Sequence, residues 1–325
     1  MKNLTRALAT LCLLLPVVLS AQTHAQEVSL AAAKFHSDFT AMLTFGDSYS
    51  DTGNLDSPLF VTDPPYLYGN ATNGLVWAEQ LADLLNINRP QPSGKFIENT
   101  PVPALGGTGY AAGGNNITHL VEQAQVMAAQ IEAGTYSVTG TELATIWTGH
   151  NDMLGTPPDL SETAQLAALI ENHILWLYDQ GVRHVLLLTA LDVSVTPYHG
   201  LRTDHGLPDN IANIKRMTRA LNKRIHRIGY RIAQQLPAMT VYLYDAEAYR
   251  KAVFANPQDF GFSYTRYAAK WDWNVALDDE DSVFPENEYP VTYLNGGNYF
   301  SIDRVHPSAQ AHEQIANDVY QFIIQ

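Results

Sequence analysis

The sequence predicts an α/β protein, a three-layer α/β/α sandwich around a mainly parallel central sheet. Two observations predict it. Four short runs are almost wholly apolar, the pattern of strands covered on both faces. Longer segments with helical period lie between them, as the crossovers of a parallel sheet require. Nothing in 41–325 reads as a linker, a low-complexity tract or an internal repeat, so one large core is expected from that span.

The elements follow in order. The first strand, 41–45, stops at Gly46. Trp77, Leu81, Leu84 and Leu85 then share one face of a helix. Leu120, Ala124, Met127 and Ile131 mark a second helix, halted by Gly134. The second strand, 143–147, ends at Gly149. Asp159 is an N-cap with Glu162 three residues on, and the helix it starts ends near Gly181. The third strand is 182–190, a long helix with a basic outer face covers 211–235, and the fourth strand is 240–244. Pro307 opens the last helix, where its missing N–H costs nothing. Segment 257–300 departs from this alternation: it lacks a period and carries eleven aromatic residues, among them Trp271 and Trp273. Such an aromatic insertion argues against disorder and for a loop that lines or covers a pocket, with Trp271 and Trp273 as candidate substrate-binding residues.

The start of the chain reads as a cleavable export signal. Lys2 and Arg6 precede a nearly all-apolar stretch, 7–20, and Thr23, His24 and Ala25 supply the small residues before a cleavage point. The expected division is a signal peptide at 1–25, an N-terminal extension at 26–40 and a catalytic domain at 41–325. The apolar stretch is too short for a membrane span, so secretion or a periplasmic location is expected, with no integral membrane segment after signal removal. The single cysteine, Cys12, lies inside this signal, so no disulfide can form after cleavage. The 19 Lys and Arg stand against 33 Asp and Glu, a formal charge of −14. A field of that sign repels nucleic acid and excludes it as a partner.

Two distant segments carry the chemistry. Gly46-Asp47-Ser48-Tyr49 follows the first strand directly, which sets the Ser48 hydroxyl at the edge of the sheet where α/β proteins bind ligands. Alone, Gly-Asp-Ser is an ordinary turn. Near the other end, Asp303 stands three residues before His306, just ahead of a helix. One short loop can then hold a carboxylate against one ring nitrogen and leave the other for a serine proton. A helix N-terminus beside the ring also favours its neutral form. Between them, the adjacent Gly113 and Gly114 allow close backbone approach to a substrate, and Asn151 ends the second strand at the same edge as Ser48. The histidines lack metal-ligand spacing, so no metal or other cofactor is expected.

Together these four blocks, in this order and at these strand ends, resemble the GDSL esterases and lipases, also called SGNH hydrolases, a family with a flavodoxin-like fold. The resemblance implies Ser48 as nucleophile, with Asp303 and His306 completing a triad. It implies oxyanion donors at the Ser48 N–H, the Gly114 N–H (or Gly113) and the Asn151 side chain. Two positions depart from the pattern: Gly109 stands where an asparagine usually opens the second block, and Ile302 where an aromatic often precedes the final aspartate. Asp63-Pro64-Pro65-Tyr66, Asn73-Gly74-Leu75-Val76-Trp77 and Phe260-Gly261-Phe262 are similar to the bacterial secreted branch of phospholipases, lysophospholipases and glycerophospholipid–cholesterol acyltransferases. The implied function is hydrolysis of lipid esters through an acyl-enzyme, with acyl transfer to an alcohol as another fate. A carbohydrate acetylesterase on the same fold and an inactive adhesion or binding module are the alternatives.

Overall fold

A computed structural model describes residues 39–54, 66–97, 100–103, 106–204, 210–268 and 298–325. In chain order these form β1 (Met42–Gly46), α1 (Trp77–Leu84), β2 (Gly94–Ile97), β3 (Thr100–Pro103), α2 (Leu120–Glu132), β4 (Leu143–Trp147), α3 (His150–Leu154), α4 (Leu160–Asp179), β5 (His184–Leu188), α5 (Pro197–Asp204), α6 (Ile211–Gln235), β6 (Thr240–Tyr244), α7 (Ala246–Ala255), β7 (Tyr264–Ala268), β8 (Tyr299–Ser301) and α8 (Ala309–Ile323). The signal peptide and almost all of the extension expected at 26–40 lie outside the described residues. No described helix is long and apolar enough to cross a membrane.

The main sheet has the order β1-β4-β5-β6, and all its pairings are parallel. A short irregular strand extends it beyond β1. Thr44 pairs in parallel with Gly109; its N–H donates to the Thr108 carbonyl at 3.0 Å, and its own carbonyl accepts the Tyr110 N–H at 2.7 Å. With that segment counted, chain order across the sheet runs second, first, third, fourth, fifth. This is the flavodoxin-like arrangement, and its direction of winding reverses between β1 and β4.

The period of two in the strands explains the three layers. Leu43, Phe45, Ala144, Ile146, Val185 and Leu187 face a core closed by residues of α2, α4 and α6. Met42, Leu143, Trp147, Leu186, Leu188 and Tyr244 face the opposite core, closed by α1 and α8. Each fully buried side chain of this kind contributes about 1.5–3 kcal/mol. Asp159 caps α4 as expected, accepting the Ser161 and Glu162 N–H groups, while Glu162 reaches back to the Asp159 N–H.

Three expectations need correction. Leu84 is exposed, because α1 ends there and its side chain falls outside the apolar stripe. Pro307 does not open the last helix: Ser308 is the N-cap, its hydroxyl accepting the Ala311 N–H, and Pro307 forms a bridge with Ser301 before it. The ends of the aromatic insertion are regular rather than loop. Tyr264–Ala268 and Tyr299–Ser301 pair in parallel, and Phe262 and Phe300 are buried against Val253 and Ala311. Trp271 and Trp273 lie outside the described residues.

Gly46 is the pivot between sheet and site. Its φ of 142° is open to glycine, and an added Cβ would sit 1.9 Å from the Trp147 carbonyl oxygen. Gly46→Ala is therefore expected to lower stability by about 3 kcal/mol or more, or to prevent folding. Thermal melting, or the yield of soluble protein, checks this.

Candidate active site

Both sides of the switch point between β1 and β4 end in a turn, and the residues singled out by sequence meet there. Ser48 follows β1, and Asn151 lies in α3 directly after β4. The loop between β8 and α8 brings Asp303 and His306 across. The Ser48 Oγ lies 2.9 Å from His306 Nε2, and His306 Nδ1 lies 2.6 Å from Asp303 Oδ2. All three residues are buried, with Ser48 at 7% exposure.

Asp303 is held by more than the ring. Its Oδ1 accepts the Val305 N–H at 2.8 Å and the His306 N–H at 2.6 Å, and its Oδ2 accepts the Tyr66 hydroxyl at 2.7 Å. Burial by itself would push this carboxyl up. The neighbouring His306 charge and the hydrogen bonds from His306 and Val305 outweigh it and bring Asp303 down to about 2. An ionised Asp303 accepts, so Nδ1 carries the ring proton and Nε2 faces the serine as an acceptor. His306 stands two residues ahead of the Ser308 cap, outside the first turn of α8. Asp303, rather than the helix, therefore fixes the tautomer.

The rest of the turn is pinned from several directions. Tyr49 donates its hydroxyl to the Val305 carbonyl at 2.7 Å, which ties the turn bearing Ser48 to the loop bearing His306. Burial, then the charges of Asp47 and Asp303, push that phenol well up, so it remains a donor. Gln123 grips Gly46 through both its N–H and its carbonyl, at 2.9 and 2.7 Å. His312 is buried beneath α1, accepts the Trp77 N–H, and is pushed down to about 3 by burial and by the charge of His306.

The N–H groups beside the serine divide into used and unused. Asp51 accepts the Gly113 N–H at 2.7 Å, and Asp47 accepts the Tyr49 N–H at 3.1 Å. The Ser48 and Gly114 N–H groups make no hydrogen bond among the described residues. Asn151 donates one amide hydrogen to the Asn115 carbonyl at 2.7 Å and keeps the other. Among the described residues, then, the Gly113 N–H is occupied and the Gly114 N–H is not.

Sequence reasoning missed one buried pair. His150 Nδ1 lies 2.7 Å from Asp47 Oδ2, with side chains 4% and 0% exposed. The Leu191 N–H donates to His150 Nε2 at 3.1 Å, so Nδ1 carries the proton and donates to Asp47. The pair laces the ends of β1, β4 and β5 together and holds both nitrogens of His150, which leaves His306 as the ring facing Ser48. Asp47 and His150 each adjoin a singled-out residue, and that adjacency at strand ends was the available signal. Among the described residues, no three His, Cys, Asp or Glu side chains gather as a metal-binding group.

A doubly wound parallel sheet with a serine–histidine–aspartate relay at its switch point defines an α/β enzyme of the acyl-hydrolase kind. The chain belongs to the GDSL-like lipase/acylhydrolase family, whose model matches residues 42–319. It is also 23% identical over 343 aligned positions to a phosphatidylcholine-sterol acyltransferase of Aeromonas hydrophila, covering 91% of this chain and 93% of that protein. Among solved structures, an acetyl xylan esterase matches with a TM-score of 0.42 at 13% identity, over 87% of this chain and 100% of that one. A second solved structure matches with a TM-score of 0.43 at 12% identity, over 88% and 97%.

Proposed function

We propose that the protein is a serine ester hydrolase acting on lipid esters through an acyl-enzyme. The observation that carries the reading is the unbroken relay from Asp303 through His306 to the Ser48 hydroxyl. Ser48 attacks the ester carbonyl as His306 takes its proton, and Asp303 orients and stabilises the imidazolium. The Ser48 and Gly114 N–H groups and the free amide hydrogen of Asn151 hold the tetrahedral oxyanion. His306 then returns the proton to the leaving alcohol, and water or a second alcohol takes the acyl group. The lipid preference is supported by the family and by the likeness to an enzyme named for a phosphatidylcholine-to-sterol acyl transfer.

Asn151→Ala is expected to lower kcat by about 10²–10³ with little change in KM, because its donor strengthens only as charge develops. Steady-state kinetics on one soluble ester checks it. The substrate reading is tested by profiling acyl length and head group on the purified chain, with products identified. Rising kcat/KM with acyl length supports it. A preference for acetyl groups on sugar polymers would mean a carbohydrate acetylesterase, and no turnover of any ester would mean a binding module. The same panel on Trp271→Ala and Trp273→Ala tests whether these side chains bind the acyl chain; loss confined to long-chain esters supports that role. Export with cleavage after Ala25 completes the proposal. The mass of the protein recovered outside the cytoplasm tests it, and a chain retaining residues 1–25 there would contradict it.

A further inference from the structure

Helix α2 turns a stripe of buried residues to the core, and two of them, Gln123 and Gln130, are glutamines. A buried amide is costly unless its hydrogen bonds are made. Gln130 spends its amide on the start of the glycine-rich segment. It accepts the Tyr110 hydroxyl at 2.7 Å and donates to the Gly107 carbonyl at 3.1 Å. Gln123 lies two turns earlier, is fully buried, and reaches two separate segments. Its Oε1 accepts the Gly46 N–H at 2.9 Å, and its Nε2 donates to the Gly46 carbonyl at 2.7 Å and to Asn115 Oδ1 at 2.8 Å. The two groups of Gly46 dictate how the amide is turned, because an N–H can only donate and a carbonyl only accept.

Asn115 extends the connection. Its N–H donates to the Ala112 carbonyl at 3.2 Å, closing a turn with Gly113 and Gly114 at its centre, where Gly114 takes a φ of 76°. Its own carbonyl accepts the Asn151 amide at 2.7 Å. A continuous path of hydrogen bonds therefore runs from Gly46 through Gln123 and Asn115 to Asn151.

That path passes each candidate oxyanion donor. Gly46 stands two residues before Ser48, Asn115 directly follows Gly114, and Asn151 is itself the third. The donors belong to three distant stretches of chain, so no local backbone geometry fixes their mutual spacing. Donors of this kind must be held to within about 0.5 Å of the productive position. Among the described residues, the path leaves the Ser48 and Gly114 N–H groups and the second Asn151 hydrogen unspent.

We propose that Gln123 is a positioning residue for the oxyanion donors, acting through Gly46 and Asn115 without touching the substrate. The inference rests on the ester-hydrolase reading and deepens it. Asp51 joins the same two turns once more through the Gly113 N–H, which limits the expected loss. The test uses the full chain with one soluble ester, below the lowest melting temperature of the set. Gln123→Met removes all three bonds at similar volume. Asn115→Ala removes only the bond to the turn, and it decides alone if Gln123→Met does not fold. Each is expected to lower kcat by about tenfold or more while KM stays within about twofold.

Gln130→Met is the structural control, since it also strips a buried glutamine of α2 of its partners. Its melting temperature should fall and its kcat stay within about twofold of wild type. In an Asn151→Ala background, Gln123→Met should cost about threefold or less, because one donor it positions is already gone. Unchanged kcat in both Gln123→Met and Asn115→Ala overturns the proposal. So does an equal loss in Gln130→Met, or the full loss repeated in the Asn151→Ala background. Ser48→Ala is the separate arm. Persistent turnover there defeats the ester-hydrolase reading itself, whereas an inactive Ser48→Ala beside an unaffected Gln123→Met and Asn115→Ala defeats this inference alone.

Discussion

Ser48→Ala and His306→Ala are each expected to lower ester turnover by about 10³-fold or more while leaving the fold intact. The size follows from their roles as one unit: without the hydroxyl there is no acyl-enzyme, and without the ring there is no acceptor 2.9 Å away for its proton. The double variant should be scarcely worse than either single one, because a broken relay cannot be broken again. Removal of the Ser48 hydroxyl leaves the surrounding pins in place, since Tyr49, Asp47 and Gln123 hold the turn through other atoms. Melting temperatures near wild type are therefore expected. Purified Ser48→Ala retaining more than about a tenth of wild-type turnover would remove it as the nucleophile.

Asp303→Asn is expected to cost about 10³–10⁴ in kcat, comparable to other triads in which the carboxylate is replaced by its amide. An asparagine at this position must present its NH₂ to a set of donors. Oδ1 receives two backbone N–H groups, and Oδ2 receives the Tyr66 hydroxyl as well as the His306 ring. The oxygen of the amide satisfies the backbone pair, which turns the NH₂ toward His306 and forces the proton onto Nε2, facing Ser48. The base is then lost by tautomer. A pH signature accompanies it. Asp303 is held down to about 2, below the roughly 3.9 of an unfolded aspartate. Its contribution to stability is thus complete above about pH 4 and is lost as pH falls toward 2. The variant should lack that part of the acid loss, read by urea unfolding at several pH values.

The strands were legible because both faces of the sheet are covered. Segments 143–147 and 240–244 have no polar face to blur their limits, and the observed β4 and β6 coincide with them. The edge segment at Gly109 was not, since a glycine-rich stretch with a single bridge carries no apolar run. The β2–β3 pair was missed for a related reason: its second strand reads Thr100-Pro101-Val102-Pro103, and proline breaks the period. In the site, Ser48, Asp303 and His306 could be read because their order and short spacings reduce to local motifs. The supports could not. Tyr66 reaches Asp303 across 237 residues and His150 reaches Asp47 across 103, separations that only the fold can close.

Ser48 and His306, which meet at 2.9 Å, are 258 residues apart in the chain. Nearly all of the protein must be synthesised before the two can meet, and α8 must dock on α1 to seat the loop that carries the base. A growing chain released with everything up to the end of α7 would hold Ser48, Gly114 and Asn151 and still cleave nothing. Assembly order therefore acts as a safeguard in time: an acylhydrolase built this way has no working centre until its last helix has left the ribosome and docked.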